Sequence, residues 1–321
     1  MKRFGTTHDG RVVHQVTIGA GDLSATLLTW GAVVQEVRLA GVTHSLTLGS
    51  DTLADYLGPM RHHGALIGPI ANRIRTARAR IDGMVYELER NQDERIHLHS
   101  GDQGTHRQIW QVDECGADSV TLSLDLPDGM CGLPGNRRIT ARFGIEAPAT
   151  LRMDLTGTTD ATTLMNFANH SFWNLDGTAD FAGHRLWIDA RHYLPTDADD
   201  CPTGEIAETA ETAYDFTTAR AIGPRRPALD TNFCIARTNR PLQDVLRLTG
   251  KSGVSMTLGT TSPGVQVYDA RHAQRPGKGP YEGLAIEPQY WPDAPDNPHF
   301  PSIKVTAGTG FAQTTTWRFA R

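Results

Sequence analysis

At 321 residues the chain can bury a sizeable core, and its 31 Lys+Arg against 36 Asp+Glu leave a formal net charge of -5. No basic stripe is interleaved with aromatics and no apolar run reaches bilayer length, so neither nucleic acid nor a membrane is expected as a partner. The four cysteines (Cys115, Cys131, Cys201, Cys234) form no CxxC pair, and no apolar segment follows the charged start MKR, so reduced thiols and a cytoplasmic location are expected.

In chain order, LSATLLTWGAVVQEVRLAG (Leu23 to Gly41) breaks at Gly31 into two strand-like pieces rich in β-branched and aliphatic residues. SDTLADYLG (Ser50 to Gly58) reads as a short helix with Ser50 or Asp51 as its N-cap. RIDGMVYEL (Arg80 to Leu88) reads as two strands around an Asp-Gly turn, the strongest short hairpin signal. SVTLSLDLPDG alternates apolar and polar at Val120, Leu122, Leu124 and Leu126, the pattern of a half-buried strand. ITARFGIEA, TLRMDLTG, HRLWIDA, VSMTLGTT and TTTWRFA carry the same texture to the carboxyl end.

Helical periodicity is otherwise nearly absent. The fold class expected is therefore all-β: one domain over residues 1–321, an antiparallel β-sandwich of two large packed sheets with few short helices. The connection from Leu194 to Asp230 is too long for a turn and is expected to wrap over a site.

Five polar clusters interrupt the strands: ANRIR (Ala71 to Arg75), IHLHSG (Ile96 to Gly101), ANHSFWNL (Ala168 to Leu175), LDTNF (Leu229 to Phe233), and GVQVYDA with AIEPQYWPDAPDNPHFP. Each has a structural explanation and a chemical one. Arg73 is either a salt-bridged turn residue or a ligand contact. His97 and His99, two apart, project to one face of a strand, where a pair can bind metal, but no third ligand is evident and no metal is expected. Asp230 is a turn cap or a hydroxyl acceptor, Gln266 an ordinary position between two valines or a polar contact. His170 either satisfies itself in the core or transfers protons. Glu287, directly after Leu284, Ala285 and Ile286, has its charged form disfavoured by apolar surroundings and needs a partner or a purpose.

Taken together and in order, these clusters resemble the aldose 1-epimerases, also called galactose mutarotases. The family pattern runs ANR, LHGG, NHSYFNL, DHNF, GVQFY, then ETQNWPDA followed by FP; this chain has ANRI, LHSG, NHSFWNL, DTNF, GVQVY and EPQYWPDAPDNPHFP. LTWGAVVQEVRL, LTLGSDTLADYLG, LPDGMCGLPGN and LPTDADDCPTGEI extend the likeness over almost the whole chain. Ser100, Thr231, the YDA after Val267 and Pro288 depart from the pattern, and bear on sugar preference more than on reaction type.

The resemblance implies a galactose mutarotase-like supersandwich that binds a monosaccharide without a cofactor, as monomer or homodimer. It implies His170 as general acid and Glu287 as general base, with Asn72, Arg73, His99, Asp230 and Gln266 binding substrate. Interconverting anomers needs a proton taken from the C1 hydroxyl and one given to the ring oxygen, then the reverse after the aldehyde turns. An imidazole with an unperturbed pKa of about 6.5 suits the acid, and a carboxyl at about 4.3 starts as the base. The two are expected to converge on opposite edges of one hexose-sized cavity.

Three other readings fit parts of the pattern: a hexose-phosphate mutarotase of the same fold using Arg61, Arg75 and Arg95, a non-catalytic carbohydrate-binding protein, and a glycoside hydrolase built on Glu287 and Asp230.

Overall fold

The computed structural model describes residues 1–321, and antiparallel strands dominate it. A nine-stranded sheet runs in spatial order Gln111–Cys115, Ser119–Leu126, Arg137–Glu146, Thr150–Thr159, Phe311–Ala320, Ser255–Thr260, Gln243–Thr249, Arg185–Ile188 and Arg220–Ala221. A six-stranded sheet runs Phe172–Trp173, Leu284–Gln289, Gly264–Tyr268, Asp230–Cys234, His192–Leu194 and Ala207–Glu208. The first forty residues form a separate meander, Lys2–Thr6, Val12–Ala20, Leu23–Leu28 and Val33–Leu39. The expected two-sheet sandwich is therefore a nine-on-six arrangement with a four-stranded third sheet against it.

One apolar cluster of 49 buried residues joins all three sheets, drawing Val16 and Val37 from the meander, Leu258 and Trp317 from the nine-stranded sheet, and Val265, Val267, Leu284 and Ile286 from the six-stranded one. Because side chains alternate across a strand, this inward set dictates what faces the other way. With Phe233, Val265, Val267, Leu284 and Ile286 in the core, residues Asp230, Asn232, Gln266 and Glu287 occupy the opposite face. Backbone pairing puts Gln266 level with Asn232 on one side and with Glu287 on the other. A one-residue slip would bury these polar groups in the core and expose the valines, so burial locks the register.

Local signals hold where they were strongest. Asp82 and Gly83, both at positive φ (48° and 86°), close the hairpin between Arg78–Ile81 and Met84–Glu87. Gly31, at φ 63°, separates the two strands of the LTWGAVV stretch. The short helix spans Leu53–Leu57, but its N-cap is Thr52, not Ser50 or Asp51. The Ser50 hydroxyl instead accepts from the Thr52 N–H at 3.1 Å and donates to the Asp55 carboxylate, so it organises the turn one step earlier.

Candidate active site

A cavity of about 430 Å³ opens over the outer face of the six-stranded sheet, within the usual size range of a small-ligand site. Six of the seven residues singled out from sequence line it: Asn72, Arg73, His99, His170, Asp230 and Glu287. Gln266 lies just beneath, where its amide donates to Asp230 Oδ1 at 2.5 Å. That bond holds the carboxylate that faces the cavity, and the Gln266 Oε1 has no partner in the protein.

Asn72 and His99 flank the two-residue strand pair Arg73–Ile74 with His97–Leu98, and both have positive φ (62° and 54°). Their backbones close on each other: the His99 N–H donates to the Asn72 carbonyl at 3.0 Å, and the Asn72 N–H donates to His99 Nδ1 at 3.1 Å. The expectation that His97 and His99 share a strand face fails for this reason. The left-handed turn at His99 swings its ring into the cavity, while buried His97 bonds the Glu89 carbonyl through Nδ1 at 2.8 Å.

Arg73 is nearly buried, at 12% exposed, with Nε donating to Gln92 at 2.9 Å and Nη1 3.4 Å from Asp230. Asp230 is thus a strand residue tied to a guanidinium, not a turn cap. Burial pushes its pKa up and Arg73 opposes that.

His170 is fixed through its backbone, which donates to the Ala65 carbonyl and accepts from the Gly64 N–H, both at 2.9 Å. Its Nε2 lies 3.6 Å from Glu287 Oε1, and the two side chains are 6% and 2% exposed. The imidazole and carboxyl therefore adjoin on one side of the cavity, correcting the expectation of opposite edges.

Burial governs the charge of this pair. It lowers His170 to about 4 and raises Glu287 well above the carboxylate range, with the Asp230 charge adding to the second shift and Arg73 opposing it. Burial thus disfavours the charged form of both members, the reverse of the charges that unperturbed values suggest. His170 Nδ1 and Glu287 Oε2 have no hydrogen-bond partner in the protein.

Sequence reasoning missed a group of further histidines. His62 stacks on His170 with ring centroids 5.7 Å apart and 28° between planes, and meets His99 at 4.9 Å and His106 at 5.1 Å edge-on. His63 stacks on Phe172 at 4.3 Å. Desolvation holds His63 and His106 down at about 3, and His62 and His99 well below the ordinary imidazole value. The adjacent pair in RHHGALIG, shortly before ANR, was the available signal. Of the aromatics in the polar motifs, Trp173, Trp291 and Phe172 are buried, and Phe172 lines the cavity beside Tyr268.

The long connection Leu194 to Asp230 does reach the cavity, through Asp200. Of the arginines considered for phosphate, Arg75 pairs with Asp197 and Arg95 with Asp199, both outside the cavity lining, and Arg61 alone lies at the cavity. No helix is long and apolar enough to cross a membrane.

The architecture is that of the mutarotase-like β-sandwich enzymes. A solved aldose epimerase homologue from C. elegans superposes with a TM-score of 0.88 at 26% identity, covering 96% of this chain and 99% of the other. Galactose 1-epimerase from Lactobacillus acidophilus gives 0.85 at 25%, covering 98% and 97%. By sequence the chain is 29% identical to galactose mutarotase of Rattus norvegicus, over 97% of this chain and 95% of that one. It is also 29% identical to aldose 1-epimerase of Escherichia coli K12, over 91% and 90%. The aldose 1-epimerase family model matches residues 14–318, and the chain belongs to that family. It is an isomerase of the epimerase type.

Proposed function

We propose that the protein interconverts the α and β anomers of a free aldohexose such as galactose or glucose, by acid/base ring opening and reclosure. The observation that carries this reading is the 3.6 Å approach of His170 Nε2 to Glu287 Oε1 inside a cavity that Asn72, Arg73, His99 and Asp230 also line. A one-proton pair suffices for the reaction. One member receives the C1 hydroxyl proton while the other delivers a proton to the ring oxygen; after rotation about C1–C2 each reverses its transfer, and no covalent intermediate forms.

His170 as acid and Glu287 as base describe the bound state. A C1 hydroxyl donating to Glu287 favours its carboxylate, as does Arg73, and the proton passes to His170, whose charge then sits against that carboxylate. Asn72, Arg73, His99 and Asp230 hold the sugar: Asp230 accepts from hydroxyls, while His99 Nε2–H and the Arg73 guanidinium donate to developing charge on the oxygens. Gln266 acts through Asp230.

The pairing of Arg75 and Arg95 with aspartates favours a neutral sugar over a phosphorylated one. Polarimetry of freshly dissolved α-D-galactose and α-D-glucose, beside glucose 6-phosphate, tests the reading. Acceleration of the free sugars is expected. No acceleration of any sugar would leave a binding protein, and preference for the phosphate would reverse the substrate assignment.

A further inference from the structure

Residues 196–202, TDADDCP, form a loop whose ends pair as Thr196 with Pro202. Three arginines hold it: Arg75 bonds Asp197 at 2.5 Å, Arg95 bonds Asp199 at 3.0 Å, and Arg73 approaches Asp200 at 3.4 Å. The first two contacts tether the loop away from the cavity. The third differs, because Asp200 itself lines the cavity, with φ 57° turning it out of the loop.

The Asp200 carboxylate is 45% exposed, and its contact with Arg73 is long for a charge-assisted hydrogen bond. The same guanidinium lies 3.4 Å from Asp230, so one cation is shared between two carboxylates. Neither is saturated by it. A carboxylate has about four acceptor positions and no donor, so the free positions of Asp200 call for an O–H or N–H from whatever fills the cavity.

We propose that Asp200 is a specificity-determining residue that accepts a hydrogen bond from one hydroxyl of the bound sugar, so that the protein requires a free hydroxyl, and rejects an anionic substituent, at the ring position facing it. This rests on the mutarotase reading above. None of the residues singled out from sequence includes it, since its reach into the cavity depends on the loop's tethers.

The test compares wild type, Asp200→Ala and Asp199→Ala on galactose and glucose and on a set of monodeoxy analogues. For Asp200→Ala, KM is expected to rise about tenfold with kcat within twofold, as for loss of a hydrogen bond to a charged group. One monodeoxy analogue is expected to show the same penalty in wild type and no further penalty in Asp200→Ala. Asp199→Ala removes only the surface tether to Arg95, while the Arg75–Asp197 pair and the Thr196–Pro202 pairing still hold the loop, and should leave both constants within twofold. At the position so identified, an amino sugar should inhibit wild type and lose affinity in Asp200→Ala.

Equal effects of the two substitutions would reduce Asp200 to a loop anchor, and an analogue penalty that persists unchanged in Asp200→Ala would overturn the contact. Repulsion of the amino sugar by both proteins would move the contact to Arg73. If wild type itself fails to accelerate mutarotation, the functional reading falls first; if wild type is active and the coupling is absent, only the role of Asp200 falls.

Discussion

The Asn72 backbone N–H donates to Nδ1 of His99 at 3.1 Å, so this imidazole carries its proton on Nε2 and presents a donor to the cavity. Burial and the neighbouring His170 and His106 keep the ring uncharged. Nitrogen-15 NMR should accordingly show an unprotonated Nδ1 and no titration of His99 at the ordinary imidazole value of about 6.5. His99→Ala should lower kcat/KM by about 10²- to 10³-fold, the scale of losing one preorganised donor. Finding the proton on Nδ1 would remove His99 from the list of sugar donors.

Glu287→Gln and His170→Asn should each lower kcat by about 10²- to 10⁴-fold, the usual contribution of a positioned proton-transfer group. The double variant should be little worse than either single one, since the two residues act as a unit. Glu287→Gln replaces a buried carboxyl, 2% exposed, with an uncharged isostere, so its Tm should hold or rise. Near-normal turnover in either single variant would contradict the assignment of that residue.

The pH profile follows from how many protons the pair holds. Below about 4 His170 takes a second proton and the base is lost; above the raised value of Glu287 the last proton leaves and the acid is lost. Between these limits the pair holds one proton, whichever member carries it. Stopped-flow polarimetry should find kcat/KM level through neutral pH, with an acid inflection near 4 and an alkaline one well above the carboxyl range. An inflection at the ordinary imidazole value of about 6.5 would contradict the dry environment of His170.

Stability should fall in acid for the same physical reason. His62, His63, His99, His106 and His170 are all held below their ordinary value, to about 3 for His63 and His106 and about 4 for His170. The unfolded chain therefore binds protons first, and stability present above pH 6.5 is lost as pH falls toward the folded values. The raised carboxyls Glu287, Asp230 and Asp293 run the other way, losing their contribution as pH rises through their raised values, while buried His97 and His184, also lowered, add to the imidazole side. Each imidazole adds about 1.4 kcal/mol per pH unit to the slope. Urea unfolding of His106→Gln between pH 6.5 and 4 should show the slope reduced by that amount.

Gly64 connects backbone geometry to turnover. It has φ 70°, its N–H donates to the His170 carbonyl at 2.9 Å, and an added Cβ would lie 2.3 Å from the Val34 carbonyl oxygen. Gly64→Ala should cost at least ~2 kcal/mol and lower kcat by displacing His170. Gly83→Ala, at φ 86° but with open space around the new Cβ, should cost about 1 kcal/mol and leave kcat unchanged. Equal losses of kcat in both would show that Gly64 has no special hold on the site.

Much of this protein is written locally. Alternation in SVTLSLDL and GVQVY, the Asp82-Gly83 turn and the Gly31 break each involve residues within a few positions of one another, so composition and spacing suffice to read them. The order of the polar motifs points to the family for the same reason, and six of the seven residues they supplied line the cavity. Tertiary structure alone decided the rest. The contact of His170 with Glu287 depends on the register of Leu284–Gln289 in its sheet and on the Gly64–Ala65 backbone that holds His170. The turn of His99 away from His97, the meeting of His62 with His106 and His170, and the approach of Arg73 to Asp200 join segments distant in sequence. Charge state belongs with these: whether a carboxyl or an imidazole keeps its proton is set by the water it loses on burial, and only the packed chain determines that loss.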